Sequence, residues 1–153
     1  MRLVFLSLAA ATLAATPALA NEGRIEARGG VIWNGSDSEA IAGVAAGYDW
    51  DLGEKSFVGI EASGDKILES NTRVSFGGSL RAGFRASEAG KLYAVGGYAT
   101  KPCKFCEDSV NLGAGYQHSF GQNFYGKIEY RHNFIGKGIP DTDVAGVGLG
   151  VKF

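Results

Sequence analysis

Along most of the chain, apolar and polar residues alternate with a period of two, and short clusters of turn residues interrupt the alternation. This period is typical of β-strands that have one apolar and one polar face, and it differs from the spacing of an amphipathic helix. Gly, Asn, Asp, Ser or Pro occupies each interruption, as a chain reversal requires. The pattern predicts eight strands, over residues 24–33, 38–50, 56–67, 72–86, 91–101, 109–118, 123–135 and 143–153. Because every connection is short, we expect successive strands to pair antiparallel.

Each predicted strand separates its side chains onto two faces, although strand 91–101 gives no clear orientation. In strand 123–135, for example, Ile128 and Phe134 alternate with Lys127 and Arg131. Small residues on the polar face leave room for long side chains inside a crowded barrel. Glycine recurs on that face, at Gly30, Gly43, Gly47, Gly59, Gly77, Gly83, Gly96, Gly113, Gly115, Gly146, Gly148 and Gly150.

Aromatic residues on the apolar face gather near the strand ends. Trp33 and Phe134 lie towards one rim, and Trp50, Phe120 and Phe153 are among those towards the other. Two aromatic girdles that flank an apolar band are typical of transmembrane β-barrels. We therefore predict an all-β, eight-stranded antiparallel up-and-down transmembrane barrel whose apolar face contacts lipid. The alternative is a secreted, soluble, lipocalin-like barrel with its apolar face around a ligand pocket.

Charged residues fall mainly on the polar face. Facing lipid at the bilayer midplane, each Arg or Lys would cost roughly 2 to 4 kcal/mol. Inside the barrel, the near balance of sign favours an ion-pair network, because an unpaired buried charge is costly. The predicted lumen network comprises Arg24, Glu26, Arg28, Glu61, Asp65, Arg73, Arg81, Arg85, Lys127, Glu129, Arg131 and Lys152, with Glu39 and Asp49 as further acidic residues. Eight strands enclose little more than side chains, so we expect a plugged lumen without an open pore.

The composition limits the remaining classes. The 153 residues carry a net charge of -1, which fits one domain without the basic excess of a nucleic-acid-binding protein. Arg2, an apolar run and an Ala18-Leu19-Ala20 cleavage pattern predict that residues 1–20 are a cleaved secretory signal peptide. Residues 21–153 would then form the barrel domain. Beyond Ala20, no apolar run approaches the roughly 18 residues that a spanning helix needs.

The carboxy-terminal sequences "GKIEYRHNFIGK" and "VAGVGLGVKF" are the most specific stretches of the chain. They resemble the last two strands of the small eight-stranded bacterial outer-membrane β-barrels, a family that includes the OmpA transmembrane domain, OmpX and the opacity proteins. The resemblance implies a Gram-negative outer membrane, periplasmic termini, and contact with lipid and lipopolysaccharide. It also implies that Val147, Leu149, Val151 and Phe153 form the carboxy-terminal signal that the barrel assembly machinery recognises. We expect a monomer, and the four short external connections disfavour an adhesin role.

Cys103 and Cys106 form a C-x-x-C motif in the longest external connection. Because the compartment that the resemblance implies is oxidising, we predict a local disulfide. A thioredoxin-like redox site would need a βαβ context, and a structural zinc site would need further ligands. We predict neither a metal nor a cofactor.

His132 is the residue to weigh for catalysis. Eight-stranded lipid A deacylases place a Ser two positions after the catalytic His and an acidic partner in the last strand. Here position 134 is Phe, and the last strand has no carboxylate side chain after Asp143. A nucleophile, base and orienting acid are therefore not expected around His132. We predict a non-enzymatic outer-membrane barrel with a structural or surface role; a lipid A-modifying enzyme is the main alternative.

Overall fold

The computed structural model describes residues 21–35 and 37–153, so the expected signal peptide lies outside the described residues. Eight strands form one closed barrel in which each strand pairs antiparallel with the next, and the last pairs with the first. The strands are β1 (Glu22–Asn34), β2 (Asp37–Leu52), β3 (Ser56–Ile67), β4 (Ser75–Arg85), β5 (Gly90–Ala99), β6 (Ser109–Phe120), β7 (Phe124–Phe134) and β8 (Thr142–Lys152). The predicted eight-stranded antiparallel barrel is confirmed. Across residues 21–35 and 37–153, no helix is long and apolar enough to cross a membrane.

The two ends of the barrel differ in the length of their connections. We call the end of the barrel where β1 begins and β8 ends the terminal end. The connections there are residues 53–55, 86–89 and 121–123. Two of them turn tightly at glycines with positive φ, Gly53 at 86° and Gly121 at 74°. At the opposite end, which we call the loop end, β1 and β2 are separated by two residues, and the other three connections are longer, at residues 68–74, 100–108 and 135–141.

The connection before β4 corrects one predicted boundary. Thr72 donates its hydroxyl to the carbonyls of Ile67 and Glu69, at 2.6 and 2.8 Å, and so holds a turn where a strand was expected. β4 therefore begins at Ser75. Arg73 consequently lies outside the lumen, where it is exposed and donates from Nε to the Lys101 carbonyl at 3.3 Å.

The barrel is apolar outside and charged inside. Leu80 and Leu149 on the exterior are 68% and 70% exposed, whereas Asp49 in the interior is 0% exposed. A continuous apolar exterior is the surface that hydrocarbon solvates. The lipocalin-like alternative requires the opposite arrangement and is wrong.

β5 takes the orientation that its sequence left open. Lys91 and Tyr93 are buried in the lumen, and the alternate residues face outward. Gly96, predicted on the inner face, is directed outward, because its cross-strand neighbours Leu80 and Leu112 both face outward.

Candidate functional site

Glu61 of β3 is the centre of the lumen network. Its carboxylate accepts hydrogen bonds from Arg24 Nη1 at 2.7 Å and Arg28 Nη1 at 3.1 Å on β1. From β7, Arg131 Nη2 donates at 2.9 Å and Lys127 Nζ lies 3.6 Å away. One carboxylate thus joins strands that are not neighbours in the sheet, which cross-links the barrel through its interior.

A second cluster fills the terminal half of the lumen. Arg81 donates from Nε to Asp49 at 2.8 Å, makes a second bond to the same carboxylate, and donates to Gln117 at 3.1 Å. Its guanidinium carbon lies 5.2 Å from the Phe57 ring centroid and 4.8 Å from that of Tyr93. Such a stacked, doubly hydrogen-bonded Arg is held by planar contacts that Lys could not reproduce.

Glu26 and Glu129 complete the middle of the network. Lys127 Nζ lies 2.5 Å from Glu26 and 3.4 Å from Glu129. The hydroxyls of Tyr125 and Tyr93 donate to Glu26 and Glu129 respectively, each at 2.7 Å. These tyrosines satisfy carboxylate lone pairs without adding charge.

Ion pairs also close the terminal mouth of the barrel. Glu22 lies between Lys91 Nζ at 2.8 Å and Lys152 Nζ at 3.3 Å. Arg85 pairs with Asp51 at the same rim. The lumen is therefore sealed by paired charges at this end.

Glycine on the inner face creates the space for these long side chains. A Cβ on Gly47 would lie 2.6 Å from Arg24 Cζ and 2.8 Å from the Ile60 carbonyl oxygen, and one on Gly115 would lie 2.5 Å from Tyr93 Cζ. Contacts this short require the backbone or the network to move. The glycine-rich polar face thus follows from the size of the residues opposite it.

The predicted network residues, except Arg73 and Glu39, all make ion pairs inside the barrel or at its terminal mouth. Glu39 is exposed near the loop end of β2 and has no ion-pair partner among the described residues. Sequence reasoning missed Lys91, Glu22, Tyr93 and Gln117. Of these, Lys91 could have been found from the sequence, because the lumen is the less costly side for a Lys on a strand of a lipid-embedded barrel.

The loop between β5 and β6 is fixed by several contacts. Cys103 and Cys106 form the predicted disulfide. Asp108 accepts hydrogen bonds from the Tyr98 hydroxyl and from the Lys101 backbone N–H, the latter at 2.8 Å. These two donors hold the pKa of Asp108 below its usual value.

His132 faces outward near the loop end, and its surroundings correct the sequence interpretation. Its Nδ1 lies 2.8 Å from Asp143 Oδ1, which also accepts from the Tyr130 hydroxyl at 2.5 Å. A base and an acidic partner are therefore assembled, contrary to expectation. However, Nε2 faces Asp141 at 3.5 Å, and position 134 is a Phe whose ring packs edge-on against the imidazole. The imidazole therefore has no hydroxyl nucleophile at the position where the deacylase pattern places a Ser.

No metal centre accompanies these groups in the part of the chain that the structure describes, because no three His, Cys, Asp or Glu side chains are grouped to hold an ion. The predicted assembly-signal residues lie on or just beyond β8, and Val147, Leu149, Val151 and Phe153 face outward. Phe153 exchanges two backbone hydrogen bonds with Gly23 of β1, both at 2.9 Å. Their role in assembly stays a prediction.

Comparisons with known proteins agree with this architecture. The N-terminal β-barrel domain of Pseudomonas aeruginosa OprF is 19% identical and has a TM-score of 0.60, with 89% of this chain and 100% of that chain covered. Neisserial surface protein A is 17% identical at a TM-score of 0.57, with 87% and 97% covered. Ail of Yersinia pestis is 19% identical and has a TM-score of 0.55, with 87% of this chain and 97% of that chain covered. No curated protein sequence matches the chain.

The family assignment comes from a sequence model of the outer membrane protein β-barrel domain, which matches residues 5–153. The solved structures, each below 25% identity, add the shared fold. We conclude that the chain belongs to the outer membrane protein β-barrel domain family and is an integral protein of the Gram-negative outer membrane.

Proposed function

We propose that this protein is a closed, non-enzymatic barrel with a structural or surface role in the outer membrane. The observation that carries the proposal is the filled terminal half of the lumen, where Arg24, Asp49 and Gln117 are almost completely buried among paired charges. A permeating ion would have to separate these pairs, and leaving one buried charge unpaired costs several kcal/mol. The barrel therefore holds its position in the membrane without conducting.

Single-channel recording in planar lipid bilayers tests this proposal. The wild-type protein is expected to give no conductance steps. The double variant Asp49→Ala/Arg81→Ala removes both members of an ion pair that fills the terminal half of the lumen, and it should produce channel openings. The matched double variant Asp51→Ala/Arg85→Ala removes a pair at the terminal rim and should stay silent. Steady wild-type conductance would contradict the closed lumen.

The contact between His132 and Asp143 is the one observation that favours a lipid A-modifying enzyme. Against it stands the Phe at position 134, where the deacylase pattern has a Ser. Lipid A mass spectra from a deletion strain, complemented with wild type or with His132→Gln, separate the two functions. We expect identical spectra. Loss of an acyl chain with wild type alone would establish an enzyme.

We also propose that the termini are periplasmic, that the apolar exterior contacts lipid and lipopolysaccharide, and that the assembly machinery recognises the β8 end of a monomeric barrel. Phe153→Ala should lower the amount of protein in the outer membrane while leaving the stability of the refolded barrel nearly unchanged. Phe120→Ala is the matched control, because Phe120 and Phe153 are similarly exposed, at 57% and 58%. Equal losses for both variants would refute a specific signal.

A further inference from the structure

The exposed charges at the loop end are divided between two sides of the barrel. The cationic side chains that make no ion pair among the described residues lie at this end only on the side of β3 to β6, and we call them the basic patch: Lys66, Arg73, Lys101 and Lys104. Two carboxylates outside ion pairs, Glu69 and Asp108, share that side. On the side of β7, β8, β1 and β2, the groups outside Lys or Arg ion pairs are carboxylates, apart from His132: Asp37, Glu39, Asp141 and Asp143. The basic patch therefore favours an anionic partner that approaches from one side of the barrel.

The turn before β4 and the loop between β5 and β6 hold two of these cations next to each other. The Arg73 backbone N–H donates to the Pro102 carbonyl at 2.8 Å, and Arg73 Nε donates to the Lys101 carbonyl at 3.3 Å. The Lys101 backbone N–H donates to Asp108 at 2.8 Å. Two like charges that are fixed side by side repel each other. Because neither side chain makes an ion pair, an anion that binds both would relieve this repulsion.

Arg73 has the donors that a phosphate group requires. Its side chain is exposed, and only its Nε donates to the protein among the described residues. The four N–H groups on its two terminal nitrogens are therefore free. A guanidinium presents parallel N–H groups that match the oxygens of a phosphate, which is why Arg is favoured where phosphate is recognised. Lys101 and Lys104 add ammonium groups from the neighbouring loop, so this part of the patch fits a phosphate group.

Lys66 connects the basic patch to the lipid-facing surface. It faces outward, one residue beyond the last pair of the β3–β4 ladder, Asp65 with Ser75. The Ser75 hydroxyl donates to the Thr100 carbonyl, so the ends of three neighbouring strands meet here. Because neighbouring strands lie about 4.8 Å apart, Lys66 and Lys101 are separated by about two strand spacings. A disaccharide head group with a phosphate at each end spans such a distance.

The surface between the basic patch and the centre of the membrane can accommodate acyl chains. Val74 and Phe76 face outward and are 44% and 65% exposed. Next to Phe76 along β4, a Cβ on Gly78 would meet no atom within 4 Å, so the surface is open there. A membrane lipid places an anionic head beside an apolar body, whereas a soluble anion would leave the apolar surface without a partner. The combination favours an anionic lipid.

We propose that the basic patch is a binding site for a bisphosphorylated glycolipid of the lipid A class in the outer leaflet. Arg73 and Lys101 bind one phosphate group, Lys66 binds the other, and acyl chains lie over Phe76 and Gly78. The carboxylates on the opposite side repel the same head group, so the lipid binds on one side of the barrel. This site gives a place to the lipopolysaccharide contact proposed above, and it rests on the proposed periplasmic position of the termini.

Methyl NMR of the full-length barrel tests where the lipid binds. The protein is labelled at leucine and valine methyls and placed in phosphatidylcholine nanodiscs that contain an increasing fraction of bisphosphorylated lipid A. Val74 and Leu80 on the β4 side should shift saturably. Val147 and Leu149 are the matched methyls on β8, which is opposite β4 in the closed barrel, and they should shift little. Monophosphorylated lipid A should bind about fivefold more weakly, and phosphatidylglycerol more weakly still.

Charge-matched variants test the contacts in the same nanodiscs. Arg73→Gln and Lys66→Gln should each weaken lipid A binding about fivefold, since each removes one cation beside a lipid phosphate. Lys55→Gln removes the same charge from the terminal end and should change binding less than twofold. The proposal is overturned by equal shifts on β4 and β8, by equal binding of phosphatidylglycerol, or by full binding to Arg73→Gln and Lys66→Gln. Shifts of Val74 that need a second barrel in the nanodisc instead of lipid A would assign the patch to a second copy and overturn it as well.

Failure of the lipid site is distinguishable from failure of the proposed closed barrel. Neither Arg73→Gln nor Lys66→Gln alters the terminal half of the lumen, so both variants should remain silent in the conductance experiment. The orientation is tested separately with Glu69→Cys, which places a thiol in the exposed connection between β3 and β4. This thiol should react with a membrane-impermeant maleimide in intact cells. Reaction only after lysis would place the loop end in the periplasm and overturn the site.

Discussion

Replacing Glu61 with Gln tests whether the lumen network is a single cross-linked unit. The substitution keeps the shape of the side chain but removes the negative charge on which four cationic side chains converge, at 2.7 to 3.6 Å. In the wild type, ion pairs link seven cations with six carboxylates: Arg24, Arg28, Arg81, Lys91, Lys127, Arg131 and Lys152 with Glu22, Glu26, Asp49, Glu61, Asp65 and Glu129. The variant removes one of these negative charges from the interior and leaves its cationic partners undercompensated.

The magnitude follows from the burial of Glu61, whose side chain is 2% exposed. At a separation of about 3 Å and an effective dielectric constant of about 20, each ion pair is worth about 5 kcal/mol before desolvation. Desolvation and neighbouring carboxylates offset most of the gross attraction. Removing one partner of a buried pair nevertheless costs about 3 to 5 kcal/mol, because the remaining charge cannot be solvated. Since Gln can still accept a hydrogen bond, we expect a loss of about 3 kcal/mol in the free energy of unfolding.

Urea unfolding in lipid vesicles, followed by fluorescence of the girdle residues Trp33 and Trp50, measures this loss. Asp51→Asn is the control, because its partner Arg85 is 36% exposed at the rim and the expected loss is below about 1 kcal/mol. The double variant Glu61→Gln/Arg28→Gln restores the wild-type net charge of the network and should lose less than the sum of the two single variants. Equal stability of Glu61→Gln and Asp51→Asn would refute an energetically coupled network.

Three further predictions follow from single contacts. Gly47→Ala should destabilise the barrel by about 1 to 3 kcal/mol, because its Cβ meets a guanidinium and a backbone carbonyl, whereas the outward Gly78→Ala, with open space, should have little effect in the same urea assay. Val147→Arg should cost about 2 to 4 kcal/mol in vesicles, since the new charge faces hydrocarbon. The pKa of Asp108 in the folded protein lies below its ordinary value of 3.8. The stability that the Asp108 carboxylate gives its loop is therefore present above pH 3.8 and is lost as the pH falls through the lower folded value. Hydrogen exchange at the Lys101 amide should increase over that acidic range in the wild type but not in Asp108→Asn.

Strand number, pairing and the orientation of the exterior could be predicted from the sequence because each depends on the alternation of side chains. The lumen charges followed for the same reason, since a charge in the middle of a lipid-embedded strand is costly unless it faces inward, whereas Asp143 faces outward only near the loop end. Arg73 escaped this rule, because its position depends on a turn closed by the Thr72 hydroxyl and not on alternation. The orientation of Gly96 was predicted wrongly because glycine has no side chain whose polarity indicates which face of the strand it occupies.

Contacts between strands that are distant in the sequence could not be predicted. The convergence of Arg28 and Arg131 on Glu61 depends on the diameter and stagger of the closed barrel, which no local pattern encodes. The partnership of His132 with Asp143 depends on the register of β7 against β8. A one-residue slip would have placed Asp143 on the other face, as the spacing alone allowed.

The difference between the two halves of the lumen has a simple steric cause. Eight strands fix the width of the interior, so the size of the inward side chains decides where space remains. In the terminal half, Arg81, Tyr93 and Tyr125 reach the axis and exclude solvent. In the loop half, where a cavity of about 170 Å³ remains, the inward positions are mostly small: Gly43, Ser63, Ser75, Gly77, Ala99 and Gly146. Because the barrier and the open loop half are built from different residues, substitutions of the small loop-half residues should leave the membrane barrier intact.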